Sequence, residues 1–149
     1  MSQAEARIEL DTSLGYLLKQ ASSALHTSME EVLRPLGMNI THYSCLELLS
    51  QRPGLSNSEL ARGAFVTRQS MNVLLQSLER DGIVTRAERP EAGRSLPTVL
   101  TSKGKQQLAA ASAAVRAVED RMKSDLDSTE RVAFGDMLAR CVGALQRRG

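Results

Sequence analysis

The most legible chemistry in the chain lies between positions 68 and 76, in Arg68, Gln69, Ser70, Asn72, Val73 and Gln76. Met71, Leu74, Leu75 and Leu78 recur at offsets of three, four and seven, the period of one apolar helix face, and leave that polar set on the other side. Asn and Gln amides can pair bidentately with an adenine edge, an Arg guanidinium with guanine, and valine methyls can touch the thymine methyl. A good bidentate contact discriminates bases by ~1–3 kcal/mol. Arg68 and Gln69, in the first turn, are best placed to enter a major groove. Taken alone, a polar face of this kind is more often an ordinary solvated one.

No constellation for catalysis accompanies it. The chain has no H-E-x-x-H, C-x-x-C, G-x-S-x-G, P-loop or G-x-G-x-x-G, and only two histidines could serve as bases. Cys45 and Cys141 lie far apart inside apolar stretches, so neither a disulfide framework nor a zinc cluster can be built from them. They read as buried thiols of a reducing compartment. No cofactor and no metal are expected, and the chain does not read as an enzyme.

The elements that must position the polar face follow from capping and periodicity. With 149 residues, 42% hydrophobic and 24% charged, the chain fits one compact domain or one domain with helical extensions. Aromatics are only 3% and Trp is absent, so burial rests on Leu, Val, Ile, Met and Ala, which favours packed helices. The first seven residues lack a signal-peptide pattern and no apolar run approaches ~18–20 residues, so a cytoplasmic protein without a membrane partner is expected.

A first helix is predicted from about Leu10 to Leu33, ended by Pro35 and Gly37. Thr41 can cap a second, whose apolar face is Cys45, Leu46, Leu48 and Leu49. Ser56 and Glu59 have capping-box spacing and open a short third helix bearing Leu60, Ala61 and Ala64. Thr67 can cap the fourth, closed by Asp81-Gly82. Ile83–Arg86 and Leu96–Leu100 are β-rich runs around a turn-forming stretch, a hairpin whose return strand, holding Pro97, should lie at a sheet edge. Thr101 can cap a fifth helix with Leu108, Ala111, Val115, Val118 and Met122, and Asp127-x-x-Glu130 opens a sixth with Val132, Met137, Leu138, Cys141, Val142 and Leu145.

Charge is unevenly spread along this order. Residues 1–59 sum to −3, residues 60–105 to +4 and residues 106–149 to +1, so the middle third suits a polyanion if its cations share a surface.

A short helix, a tight connection, a helix with a polar face and a β-hairpin make a winged helix-turn-helix. The run from Leu55 to Ala61, that from Val66 to Arg86, and Gly93 to Gly104 with its Leu-Thr-x-x-Gly, resemble the MarR family of bacterial transcription regulators. The fold class expected is therefore mainly α with a small β-hairpin wing: a winged helix-turn-helix domain at 41–101, flanked by helical dimerisation regions at 1–40 and 102–149.

The resemblance implies a homodimer built from the first, fifth and sixth helices, sitting on a pseudo-palindromic double-stranded DNA operator, usually as a repressor. A stripe such as that of the sixth helix must bury itself somewhere, and a second copy is the simplest place. Ser56, Asn57 and Thr67, at helix N-termini, and Arg86 are candidate phosphate contacts. Arg94, with Arg89 and Ser95, would form the wing, Arg94 matching the family's wing-tip arginine. Many members carry an Asp two positions before that arginine, where this chain has Ala92, so an intra-wing ion pair is missing unless Glu91 substitutes.

MarR-like proteins commonly take a small anionic aromatic or phenolic ligand in a crevice beside the dimerisation helices. Candidates near it are Tyr16, His26, His42, Tyr43 and Cys45. Two alternatives stay open: a winged helix used only for protein interaction or dimerisation, and a redox-sensing regulator working through Cys45, one turn beyond Thr41 and close to His42. On the DNA-binding reading, Arg94→Ala weakens operator binding and lowers the slope of log affinity against log salt by about one unit. Titrations at several salt concentrations measure both, and an unchanged slope removes the wing contact.

Overall fold

The structure is a computed structural model that describes residues 7–86 and 97–147. Among these residues it contains α1 (Leu14–Leu33), a single 3₁₀ turn (Arg34–Leu36), α2 (Ile40–Gln51), α3 (Asn57–Gly63), α4 (Arg68–Arg80), β1 (Val84–Arg86), β2 (Thr98–Leu100), α5 (Ser102–Met122) and α6 (Ser128–Gln146). The α-dominated order with one hairpin is the winged arrangement expected. Residues up to Val115 form one compact unit and those from Arg116 a second. No helix among the described residues is long and apolar enough to cross a membrane.

Most helix starts follow the capping chemistry. The Ser56 hydroxyl accepts from the Glu59 amide while the Glu59 carboxylate accepts from the Ser56 amide, a complete capping box, and Asp127 with Glu130 does the same for α6. Thr67 caps α4 by accepting from the Ser70 amide. Two starts differ from expectation. Ser13 caps α1, which therefore begins at Leu14 rather than Leu10. α2 is capped by Asn39, whose Oδ1 accepts from the His42 amide at 2.8 Å, so Thr41 lies inside the helix and not at its cap.

The core of the first unit lies under the helix-turn-helix. Leu33 of α1, Cys45, Leu46 and Leu49 of α2, Leu60 and Ala61 of α3, and Met71, Leu75 and Leu78 of α4 close on one another, with Ile83, Val84, Leu108 and Ala111 sealing one side. β1 and β2 pair antiparallel with Val84 opposite Leu100 and Arg86 opposite Thr98. In a two-stranded sheet the return strand is an edge, as Pro97 requires.

The join between α4, β1 and α5 explains the Leu-Thr-x-x-Gly motif. Gly82 ends α4 in the left-handed region (φ 74°), its amide donating to Glu79 O and that of Ile83 to Leu78 O, a Schellman closure. The Thr101 hydroxyl then donates to Gly82 O at 2.6 Å, its amide donates to Ile83 O at 3.0 Å, and Lys103 Nζ donates to Asp81 O at 2.9 Å. Gly104 is buried beneath this knot, and a side-chain carbon there would overlap the Ile83 carbonyl oxygen.

The α3–α4 turn uses the same closure with a different residue. Phe65 occupies the left-handed position (φ 60°), with Val66 N–H donating to Ala61 O and its own amide to Arg62 O. Its ring is 94% exposed, so no packing offsets the backbone strain.

α6 buries none of its side chains among the described residues. Val132, Met137 and Val142 are exposed and Leu145 is 86% exposed; on α1, Leu14 is 80% exposed and Leu17 and Leu18 are exposed as well. Cys141 shares this stripe and is exposed, which corrects the expectation of two buried thiols; only Cys45 is buried. An apolar stripe reveals which residues share a face, not whether the same chain covers it.

Gly104→Ala and Phe65→Gly should therefore move stability in opposite directions. The first costs about 1–3 kcal/mol through the clash with Ile83. The second gains about 0.5–1 kcal/mol, strain relief of about 1–2 kcal/mol less the extra chain entropy of glycine. Chemical denaturation of the two variants against the parent reads both signs.

Candidate nucleic-acid interface

α4 presents its predicted outward set as a continuous exposed surface. Arg68, Gln69, Ser70, Asn72 and Gln76 are exposed and Val73 is 62% exposed, whereas Met71, Leu75 and Leu78 are buried and Leu74 half-buried. The exposed side chains are not all independent. The Thr67 hydroxyl donates to Ser70 Oγ at 2.9 Å, so Ser70 is partly occupied by the cap. Arg68 Nη1 donates to Ser58 Oγ of α3 at 3.3 Å, and Asn57 Nδ2 donates to Asn72 Oδ1 at 2.7 Å.

The structure brings together more than the α4 face. A cleft of about 230 Å³ runs between α3, α4 and the hairpin, lined among others by Asn57, Asn72, Gln76, Glu79, Thr85, Arg86 and Thr98. Asn57 and Arg86, expected at phosphates, thus border the same depression as Asn72 and Gln76. Sequence reasoning missed Glu79, Thr85 and Thr98. Glu79 follows Asn72 by seven residues and Gln76 by three, so the helical period could have placed it on the outward face. Its carboxylate puts an acceptor at the far end of an otherwise neutral-to-cationic surface, a group suited to the cytosine amino donor.

Local electrostatics at the helix starts suit anions. Ser56 and Thr67 are exposed at the caps of α3 and α4, where free amides point outward. Hydrogen bonds from the Ser56 amide and hydroxyl hold the Glu59 carboxyl below its ordinary range, so it is ionised and committed to the capping box at neutral pH. Lys103, by contrast, is tied to the carbonyl end of α4, where a cation complements the helix dipole. Arg89, Arg94 and Ser95 lie outside the described residues.

Comparison with known proteins decides the family. The MarR family profile matches residues 36–95. The HTH-type transcriptional repressor Rv2887 of Mycobacterium tuberculosis is 42% identical over 130 residues, 87% of this chain and 94% of that protein. The chain belongs to the MarR family. Among solved structures, the M. tuberculosis MarR family protein Rv2887 in complex with salicylic acid superposes with a TM-score of 0.74 at 41% identity, over 87% of this chain and 96% of that one. The same protein in complex with DNA gives 0.72 at 37% identity, over 87% and 98%. MarR-family members are DNA-binding regulators and not enzymes, which excludes a catalytic reading of this chain.

Within this MarR-family chain the five ligand candidates do not form one group. Tyr16 and His26 are exposed on α1, and His26 Nε2 meets Glu30 Oε1 at 3.1 Å. His42, Tyr43 and Cys45 share α2. The His42 ring is half-buried, with Nε2 at 3.2 Å from Gln107 Oε1. Burial holds its pKa below the ordinary histidine value, partly offset by Gln107 and the charge of Asp81, so the ring is neutral at pH 7. Cys45 is fully buried and burial alone pushes its thiol up to about 12. A thiolate sensor needs the opposite shift, so the redox alternative is set aside. Peroxide should leave the DNA affinity of parent and Cys45→Ser equally unchanged in a titration; loss in the parent alone would restore the redox reading.

Proposed function

We propose that this chain is a homodimeric transcriptional repressor that reads a pseudo-palindromic operator through α4 and the wing and is released by a small anionic aromatic ligand. The observation that carries the reading is the phase of α4 in a MarR-family chain. Its apolar residues are buried and its amide-rich side, Arg68, Gln69, Asn72, Val73 and Gln76, faces out beside two capped helix starts. Rv2887 in complex with DNA supports the first half, and Rv2887 in complex with salicylic acid the second.

Residues 41–101 supply the DNA-reading part, with Arg68, Gln69, Ser70, Asn72, Val73 and Gln76 at base edges, Asn57 bonded to Asn72 behind them, Ser56, Thr67 and Arg86 towards the backbone, and Arg89, Arg94 and Ser95 in the wing. Residues 1–40 and 102–149 supply the dimer. The support for a dimer is the uncovered apolar surface of α1 and α6, which a second copy would bury. The ligand is received beside α2, where His42 and Tyr43 are half-buried; Tyr16, His26 and Cys45 complete the wider candidate set.

Selection of bound sequences from a random duplex pool should return inverted half-sites about one helical turn apart, roughly 10 bp centre to centre. Binding should weaken steeply with salt, sedimentation should give twice the chain mass, and salicylate should raise the apparent Kd on the selected duplex. A stable monomer, or no enrichment of any sequence, overturns the proposal.

A further inference from the structure

Asn57 is the first residue of α3, a place that by itself suggests a phosphate contact. α3 has no need of its side chain for capping, since Ser56 and Glu59 already complete the capping box. The Asn57 amide instead reaches across to the neighbouring helix, Nδ2 donating to Oδ1 of Asn72, fifteen positions later, at 2.7 Å. One residue on, Ser58 Oγ accepts from Arg68 Nη1 at 3.3 Å. The opening turn of α3 thus holds two of the outward side chains of α4.

The consequence for Asn72 is chemical. The terminal torsion of an asparagine is broad and roughly two-fold, so an unrestrained amide exchanges its oxygen and nitrogen positions freely. The two orientations read different bases. An outward NH₂ donates to a purine N7, whereas an outward oxygen accepts from an adenine or cytosine amino group. With Asn57 donating, Oδ1 of Asn72 is held towards α3. The NH₂ of Asn72 is then left for a partner, and the oxygen keeps its second lone pair. One donor beside one acceptor is the complement of adenine N7 and N6.

We propose that Asn57 is a positioning residue that sets the amide orientation of Asn72 and so makes Asn72 select adenine in the operator. This rests on the reading of α4 given under the proposed function.

The test uses the full chain, the duplex recovered by selection, and a panel carrying every single base-pair change within the half-sites. Asn72→Ala should abolish the preference for A·T at one position per half-site. Asn57→Ala should reduce discrimination at that same position roughly tenfold, leaving affinity for unrelated duplex and the thermal midpoint unchanged. Asn57→Asp is the sharper variant. A carboxylate only accepts, so it draws the NH₂ of Asn72 inward, turns the oxygen outward, and shifts preference at that position from adenine towards cytosine. Equal weakening on every sequence would identify Asn57 as a phosphate contact and overturn the proposal. So would a loss at a different position from that of Asn72→Ala, or no loss at all. A parent protein with no sequence preference would overturn the reading of α4 itself and this proposal with it, whereas the other outcomes leave that reading standing.

Discussion

The rotation of α4 about its own axis is fixed by three side chains, and everything that faces outward depends on it. Met71, Leu75 and Leu78 are sunk into the core against α2 and α3, and returning a side chain of that size to water costs about 1.5–3 kcal/mol each. Turning the helix by one residue, about 100°, would expose them and drive polar groups inward. The phase of α4 is therefore locked with several kcal/mol to spare, and Asn72, Val73 and Gln76 have no choice of direction.

The ends of the helix are held as firmly as its middle. Thr67 meets the amides at the start, while Gly82, Thr101 and Lys103 meet the carbonyls at the finish. Charge follows the same polarity: an ionised Glu59 serves the capping box at the start of α3, and the Lys103 ammonium serves the carbonyl end of α4. Towards α5 the surroundings become drier, which keeps His42 neutral and the Cys45 thiol protonated. The protein thus separates a wet, hydrogen-bonding face on α4 from a half-buried polar seam on α2.

What the sequence could disclose was set by the range of the interactions. Capping boxes at Ser56 and Asp127, the Thr67 cap and the glycine closure at Gly82 span three to five residues and are legible from type and spacing alone. The wrong cap at Thr41 arose because Asn39 and Thr41 are both competent, and only the path of the chain after Met38 decides between them. Cys141 was misplaced because periodicity gives a face and not its cover. Phe65 left no trace, since an aromatic residue is a poor predictor of a left-handed turn. The Asn57–Asn72 bond lies beyond any local pattern: it exists because Leu60 and Met71 pack α3 and α4 together and so bring two amides within reach.

The knot at Gly82, Ile83 and Thr101 also makes the start of α5 and the finish of α4 one mechanical piece. Three hydrogen bonds and a buried glycine cross the joint, so neither helix end is placed independently of the other. The position of α4 and that of α5 are therefore set by one shared group of contacts.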